Sequence, residues 1–360
     1  MKEIFHIAAP RAAMALPQKG TLREMLFGGT ARILVDLLAV PVRPRYPPST
    51  LQARQREPGD SDNAPTFSNL PTEIHCLILD HMEFIEDIVC LGLANPYFWT
   101  LARGHLHDYY TSFLGIWAGK RIVCVGEEVK PDDYPPGLFS AEELDTLRPL
   151  KTNLLRGRKP SYVQYNTPFA LSHFADPSVS VIKDFVDPRT KAWRIRERCQ
   201  ARDKKDPVFA ARGWRIIPSE STYFPQDQPW ILRNLTTKEF VRSEAIAIKP
   251  KYVRGPNILV VGFGEVVMSR TCWSSSPSGV LINNTSGSPK GVWAGHRFDI
   301  TTLARHEGEV DSAVWSDVSD EVAREIAEIW SHEFGADIRK EIVYWYQQRP
   351  NRGFLDTVPP

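Results

Sequence analysis

The sequence predicts an α+β protein: three short helices near the N-terminus, then a mixed, β-rich domain closed by a terminal helix. Three observations carry this. Residues 67–110 hold apolar residues at helical spacing, with turn residues between the runs. Beyond residue 117 come many short runs rich in β-branched and aromatic residues, separated by Pro, Gly, Asn or Ser. Near the end, Val322, Ile326, Ile329 and Trp330 share one helical face from about Ser319 to Glu333.

The composition narrows the function. The chain has 360 residues, 44 Lys plus Arg against 43 Asp plus Glu, and a net charge of +1. That length suits two domains of roughly 150 residues each. The even charge excludes a strongly basic nucleic-acid binder. No apolar run reaches the roughly 20 residues a membrane-spanning helix needs. Five scattered cysteines (76, 90, 124, 199 and 272) form no CxxC pair, so free thiols in a reducing compartment are expected, in cytoplasm or nucleus. No metal or cofactor is expected.

Residues 1–65 read as a disordered N-terminal extension. They hold eight prolines and a polar run from Gln55 to Asn63, a composition that cannot bury enough surface to offset its ordering entropy. Met14 and Met25 are alternative starts.

Residues 66–112 form the next expected unit. Pro71 suits the first turn of a helix, where its missing N–H costs nothing. Glu73 complements the helix dipole there. Leu70, Ile74, Leu77, Ile78 and Met82 fall on one face. A second helix is expected over Ile85 to Ala94. Asn95 and Pro96 open a third, with Phe98 and Leu101 on its apolar face and Gly104 as its stop. His105 and His107, two apart on a helix, point to different sides and do not suggest a metal site.

This segment resembles an F-box. The resemblance rests on Leu70-Pro71-x-Glu73-Ile74, on Ile78-Leu79, on Glu86-Asp87 before the run Ile88 to Leu93, and on Phe98-Trp99 before Leu101. It implies that the helices bind a Skp1-type linker protein and, through it, a cullin. It also implies that Leu70, Pro71, Ile74, Ile78, Leu91, Leu93 and Phe98 are the apolar anchors. Gly92 in mid-helix and Pro96-Tyr97 before the aromatic depart from the family pattern.

Residues 117–350 are expected to form one α+β domain that binds a protein target, with 351–360 as a tail. Lys120 to Val125 reads as a strand, 126–137 as an acidic, proline-rich loop, and Ser140 with Glu143 as a capping box opening a helix to about Leu147. Residues 151–160 read as a basic loop carrying Arg156, Arg158 and Lys159. A charged helix follows from Asp187 to about Lys205. The expected strands are Val208–Ala211, Trp214–Ile217, Trp230–Leu232, Phe240–Ile248, Ile258–Val261, Glu265–Met268, Gly279–Ile282 and Arg297–Ile300. A last helix is expected from Ala336 to Gln347. No fixed-period repeat is present, which disfavours a propeller or solenoid. Trp230–Val241 and Gly291–Ile300 are similar to stretches of fungal F-box proteins whose C-terminal domains have no assigned ligand.

Eight of the ten tryptophans lie beyond residue 190. Trp230, Trp273 and Trp293 sit beside turn residues and are the expected target-binding anchors. Catalytic motifs are incomplete. Val261-Gly-Phe-Gly-Glu lacks the third glycine of a kinase or dinucleotide loop, and the Gly262–Gly264 pair reads as a bulge or a close backbone approach in a sheet. Glu127-Glu128 and Asp132-Asp133 are adjacent loop acids expected to be solvated. His296, with Asp299 near it, is the one cluster that invites inspection, hydrogen bonding being its expected role. The expected function is therefore a substrate adaptor, not an enzyme. A binding module acting outside a ligase and an enzyme hidden in the C-terminal domain are the alternatives.

Overall fold

The computed structural model describes residues 3–27, 30–43, 67, 70–94, 96–156, 163–175, 184–185, 220–276, 290–309 and 314–335. The chain forms two compact units, both discontinuous. One comprises Met1–Val40, Trp117–Asp187 and Gln226–Pro360, the other Pro41–Ile116 and Pro188–Pro225. Helices and mixed sheets are both present, so the class is α+β.

The first unit begins where the sequence suggests disorder. Strand β1 (Phe5–Ala9) is buried at all five positions. It pairs antiparallel with β2 (Met14–Gly20) on one side and with β3 (Val123–Gly126) on the other. It is thus the middle strand of a five-stranded sheet, ordered β11-β3-β1-β2-β6, whose edges are β11 (Cys272–Trp273) and β6 (Asp184–Phe185). Helices α1 (Leu22–Phe27) and α2 (Thr30–Leu38) follow β2, and α2 buries Ile33, Leu34, Leu37 and Leu38. The disordered-extension reading of residues 1–65 is therefore wrong for 5–27 and 30–40. The prolines that suggested it are concentrated from residue 41 onward. Pro10 opens a 3-10 turn, where its fixed φ fits, and Phe5–Ala9 is a strand buried at every position, with His6 satisfied by Glu127 at 3.1 Å.

One face of this sheet carries Ala8, Ala15, Val123 and Val125 into a core with Leu138, Phe169, Leu171 and Phe174. Helix α6 (Ala141–Leu147) opens with the expected capping box: Ser140 Oγ accepts from Glu143 N, and Glu143 accepts from Ser140 N at 2.7 Å. The expected basic loop at 151–160 is instead partly strand. β4 (Lys151–Arg156) pairs antiparallel with β5 (Val163–Pro168) in continuous register, because Thr152 to Leu155 is as β-compatible as its partner segment.

A second sheet of four strands runs β12-β7-β8-β13. β7 (Trp230–Asn234), β8 (Glu239–Arg242) and β12 (Phe298–Thr302) are antiparallel, and β13 (Ser316–Asp317) joins β8 in parallel. Beyond β8 the expected strand to Ile248 stops, and a short helix α7 (Ser243–Ile246) takes over. A minor pair, β9 (Val253–Arg254) with β10 (Asn257–Ile258), precedes helix α8 (Phe263–Arg270).

Helix α8 replaces the strand expected at Glu265–Met268. Gly262 is its N-cap and Glu265 Oε2 accepts from Gly262 N at 2.9 Å, a local signal the short apolar run concealed. All eight of its residues are buried, so no amphipathic period was available to read. Helix α9 (Leu303–Glu309) follows β12. Helix α10 (Ser319–Phe334) buries Val322, Ile326, Ile329 and Trp330, as its spacing indicates.

The second unit holds helices α3 (Thr72–Asp80), α4 (Ile85–Ala94) and α5 (Pro96–Thr111). α5 does not end at Gly104. It continues because Leu106 and Tyr110, on later turns, are buried and Tyr110 packs on Tyr223 with ring centroids 5.2 Å apart. Gly92 also has a packing reason: a Cβ there would lie 2.8 Å from Ala102 Cβ, so glycine lets α4 and α5 approach closely. The strands expected at 208–211, 214–217 and 279–282, the helices expected at 187–205 and 336–347, the cap Asn95 and the 351–360 tail lie outside the described residues.

Candidate functional site

The helices of the second unit have two kinds of surface. Inward, α3 contributes Leu79 and His75, and α4 contributes Ile85, Ile88 and Val89. Outward, large apolar side chains remain in water: Leu70 is 38% exposed, Ile74 39%, Leu77 53% and Phe84 54%. Ile74 and Leu77 lie one helical turn apart on α3, and Leu70 directly precedes its N-cap, Pro71. The exposed acids Glu73, Asp80 and Glu83 flank them. An apolar stripe with a charged rim is the composition of a protein–protein interface.

The seven expected anchors divide. Leu70, Pro71 and Ile74 are exposed, while Ile78, Leu91 and Leu93 are half-buried. Phe98 is buried and is not an outward anchor: its ring packs on Phe67 at 5.2 Å and on His75 at 4.9 Å. Phe98 turns inward because α5 crosses under α3, with His75 filling the space between. His75 is 2% exposed, with Nε2 2.9 Å from the Phe67 carbonyl oxygen, which it donates to, and Nδ1 3.0 Å from the Tyr97 hydroxyl. Tyr97 also lies 2.9 Å from Thr72 Oγ1. Tyr97, the departure from the family pattern, thus ties the start of α5 to the start of α3. Leu77 and Phe84 were not singled out as anchors. Leu77 is visible in the sequence as part of the α3 stripe, but which side of a stripe faces solvent is not.

The three tryptophans expected to bind a target are buried, at 0% for Trp230, 7% for Trp273 and 2% for Trp293, and this expectation is corrected. Trp230 opens the interior strand β7. Trp273 Nε1 donates to the Asp133 carbonyl at 3.1 Å, and Lys290 Nζ covers its ring at 4.6 Å. Trp293 Nε1 donates to Glu239 at 2.9 Å, under the Arg270 guanidinium at 4.2 Å. Turn residues beside a tryptophan mark where the chain reverses, not which way the indole points.

The polar clusters are structural. Asp299 does not meet His296. It forms a buried bidentate pair with Arg233 at 2.7 and 2.8 Å, to which Glu309 adds a contact at 3.3 Å. His296 Nδ1 lies 3.0 Å from Asn234 Nδ2, so it accepts the amide hydrogen. Burial pulls the His296 pKa down and Glu239 opposes this. Asp133, expected to be solvated, receives Lys290 at 2.7 Å and Ser275 at 2.5 Å. Burial alone would raise its pKa, but these two partners outweigh burial and hold it down. Among the described residues Glu265 has no cationic partner of this kind; burial pushes it up to about 8, against the backbone hydrogen bonds it accepts. His105 meets Asp80 at 3.7 Å while His107 stacks on Tyr223, so the two face apart. Among the described residues no three His, Cys, Asp or Glu side chains gather as a metal site, and no helix is long and apolar enough to cross a membrane.

No family model, no curated protein and no solved structure matches the chain.

Proposed function

We propose that the chain is an F-box-type substrate adaptor: α3 and α4 dock on a Skp1-type linker protein, and the larger unit carries a protein target. The observation that carries this reading is the set of solvent-exposed apolar side chains Leu70, Ile74, Leu77 and Phe84, on and just before the helices α3 and α4, in the segment whose sequence has the F-box order of features. Side chains of this size left in water gain roughly 25 cal/mol for each Å² a partner covers. The mechanism is proximity. Holding a target beside a charged conjugating enzyme raises its effective concentration, with no bond made or broken by this chain.

The test is co-purification of the full chain with a Skp1-type protein. The wild type should retain the linker protein. Ile74→Asp with Leu77→Asp should lose it while circular dichroism still shows a cooperatively folded chain, because both side chains are partly in solvent and neither belongs to the buried face of α3. A wild type that retains no linker protein, or a double variant that retains it fully, would remove the reading.

A further inference from the structure

With Trp230, Trp273 and Trp293 buried, Trp315 is the described tryptophan of the larger unit that stays partly exposed. It follows Val314, which is 61% exposed, and it leads into the edge strand β13. Its indole is held in place: His306 meets it edge-on at 5.0 Å, and the cations of Lys238 and Arg233 lie 5.0 and 5.7 Å from its centroid.

The two cations differ. Arg233 is fully compensated by Asp299 and Glu309. Lys238 is exposed and, among the described residues, its ammonium has no ion-pair partner; the Trp315 indole N–H likewise has no acceptor. Lys238 also holds a left-handed backbone, φ +61°, a conformation glycine takes without strain and lysine does not. The turn from β7 to β8 thus carries a strained residue whose side chain puts an uncompensated charge over a partly open ring. Strain of this kind persists where the surroundings impose it, and it collects at binding surfaces.

Among the described residues no strand pairs with the far side of β13. Ser316 N and Val318 N donate to Lys238 O and Phe240 O, at 2.9 and 3.0 Å. The alternate N–H groups, of Trp315 and Asp317, therefore face away from β8 toward the sheet edge. Asp317, the acid nearest that edge, is neutralised by Arg242 at 2.8 Å.

We infer that Val314, Trp315 and Lys238 form a docking surface for an extended acidic peptide segment of a protein partner. The peptide's carboxylate pairs with Lys238, an apolar neighbour covers Trp315 and Val314, and its backbone meets the open edge of β13. That this partner is a ligase target rests on the adaptor reading; the binding itself does not.

The probe is a phage-displayed random peptide library selected on the full chain. Selected peptides should be enriched in Asp or Glu next to a large apolar residue. Their affinity, by fluorescence polarisation, should fall about tenfold or more in Trp315→Ala and in Lys238→Glu. Lys238→Gly is the decisive variant: it should keep or raise the melting temperature by relieving the left-handed strain, yet lose the peptide. No acidic enrichment overturns the inference, and so does binding by Lys238→Gly and Lys238→Glu within twofold of wild type. Recovery of the Skp1-type protein should be unchanged in all three variants. Loss of that recovery in the wild type would sink the adaptor reading and leave the peptide result standing.

Discussion

Gly264 shows how one residue sets a packing distance. A Cβ at that position would lie 1.9 Å from the Ala31 carbonyl oxygen, so α8 can cross α2 this closely only with glycine. The obstacle is backbone and cannot rotate away. Gly264→Ala should cost about 3 kcal/mol or more, read as a fall in denaturant midpoint; an unchanged midpoint would mean the helices are not in direct contact. One residue later, Glu265 makes a pH prediction. Its folded pKa, about 8, lies above its ordinary 4.5, so the folded state holds the proton more tightly. This contribution to stability is complete below about pH 4.5 and is lost as pH rises through about 8, with a slope of at most roughly 1.4 kcal/mol per pH unit. Glu265→Gln should flatten that part of the stability profile. If the variant and wild type run parallel from pH 5 to 8, the carboxyl is not buried as described. The Arg233–Asp299 pair gives a third expectation: Asp299→Ala strands a buried guanidinium and should cost about 3 kcal/mol, measured by chemical denaturation.

Elements differ in how openly they declare themselves. α10 and α6 are readable because one has an amphipathic period and the other a capping box. β1 is not, because five buried residues show no alternation and the prolines after residue 40 dominate the composition of the whole segment. Its place between β2 and β3 makes a sharp prediction. Translation from Met14 would remove β1, leaving β11-β3 and β2-β6 with no strand to join them, and translation from Met25 would remove β2 as well. Such products should show no cooperative thermal transition and should be recovered as aggregates, given the unpaired edges. A soluble, cooperatively folding product from Met25 would show that β1 is dispensable.

At the scale of the molecule, the chain is not arranged as beads on a string. The helical unit is inserted between α2 and β3 of the larger unit, and it takes Tyr223 from a distant segment: Val42 N donates to Tyr223 O at 2.9 Å. The sequence boundaries near 65 and 117 therefore do not yield stable pieces. Fragments 66–112 and 117–360, produced separately, should each lack stable tertiary structure, the first without Tyr223 and the second without β1. Near-ultraviolet circular dichroism would decide it, and a well-folded 117–360 would contradict the insertion. Three helices at 67–110 are legible in the sequence while the sheet domain around them is misjudged, because helical spacing is local and β pairing is not.

The sequence by itself determined the class, the three helices of the 67–110 segment, their apolar stripe, the cap at Ser140 and the helix that begins at Ser319. All of these are written in spacings of a few residues. Only the tertiary structure decided which side of that stripe meets water, that Phe98 and three tryptophans turn inward while Trp315 does not, and that Phe5–Ala9 is the middle strand of a sheet. Those outcomes depend on partners dozens to hundreds of residues away, and burial is a property of the assembled neighbours, not of the residue.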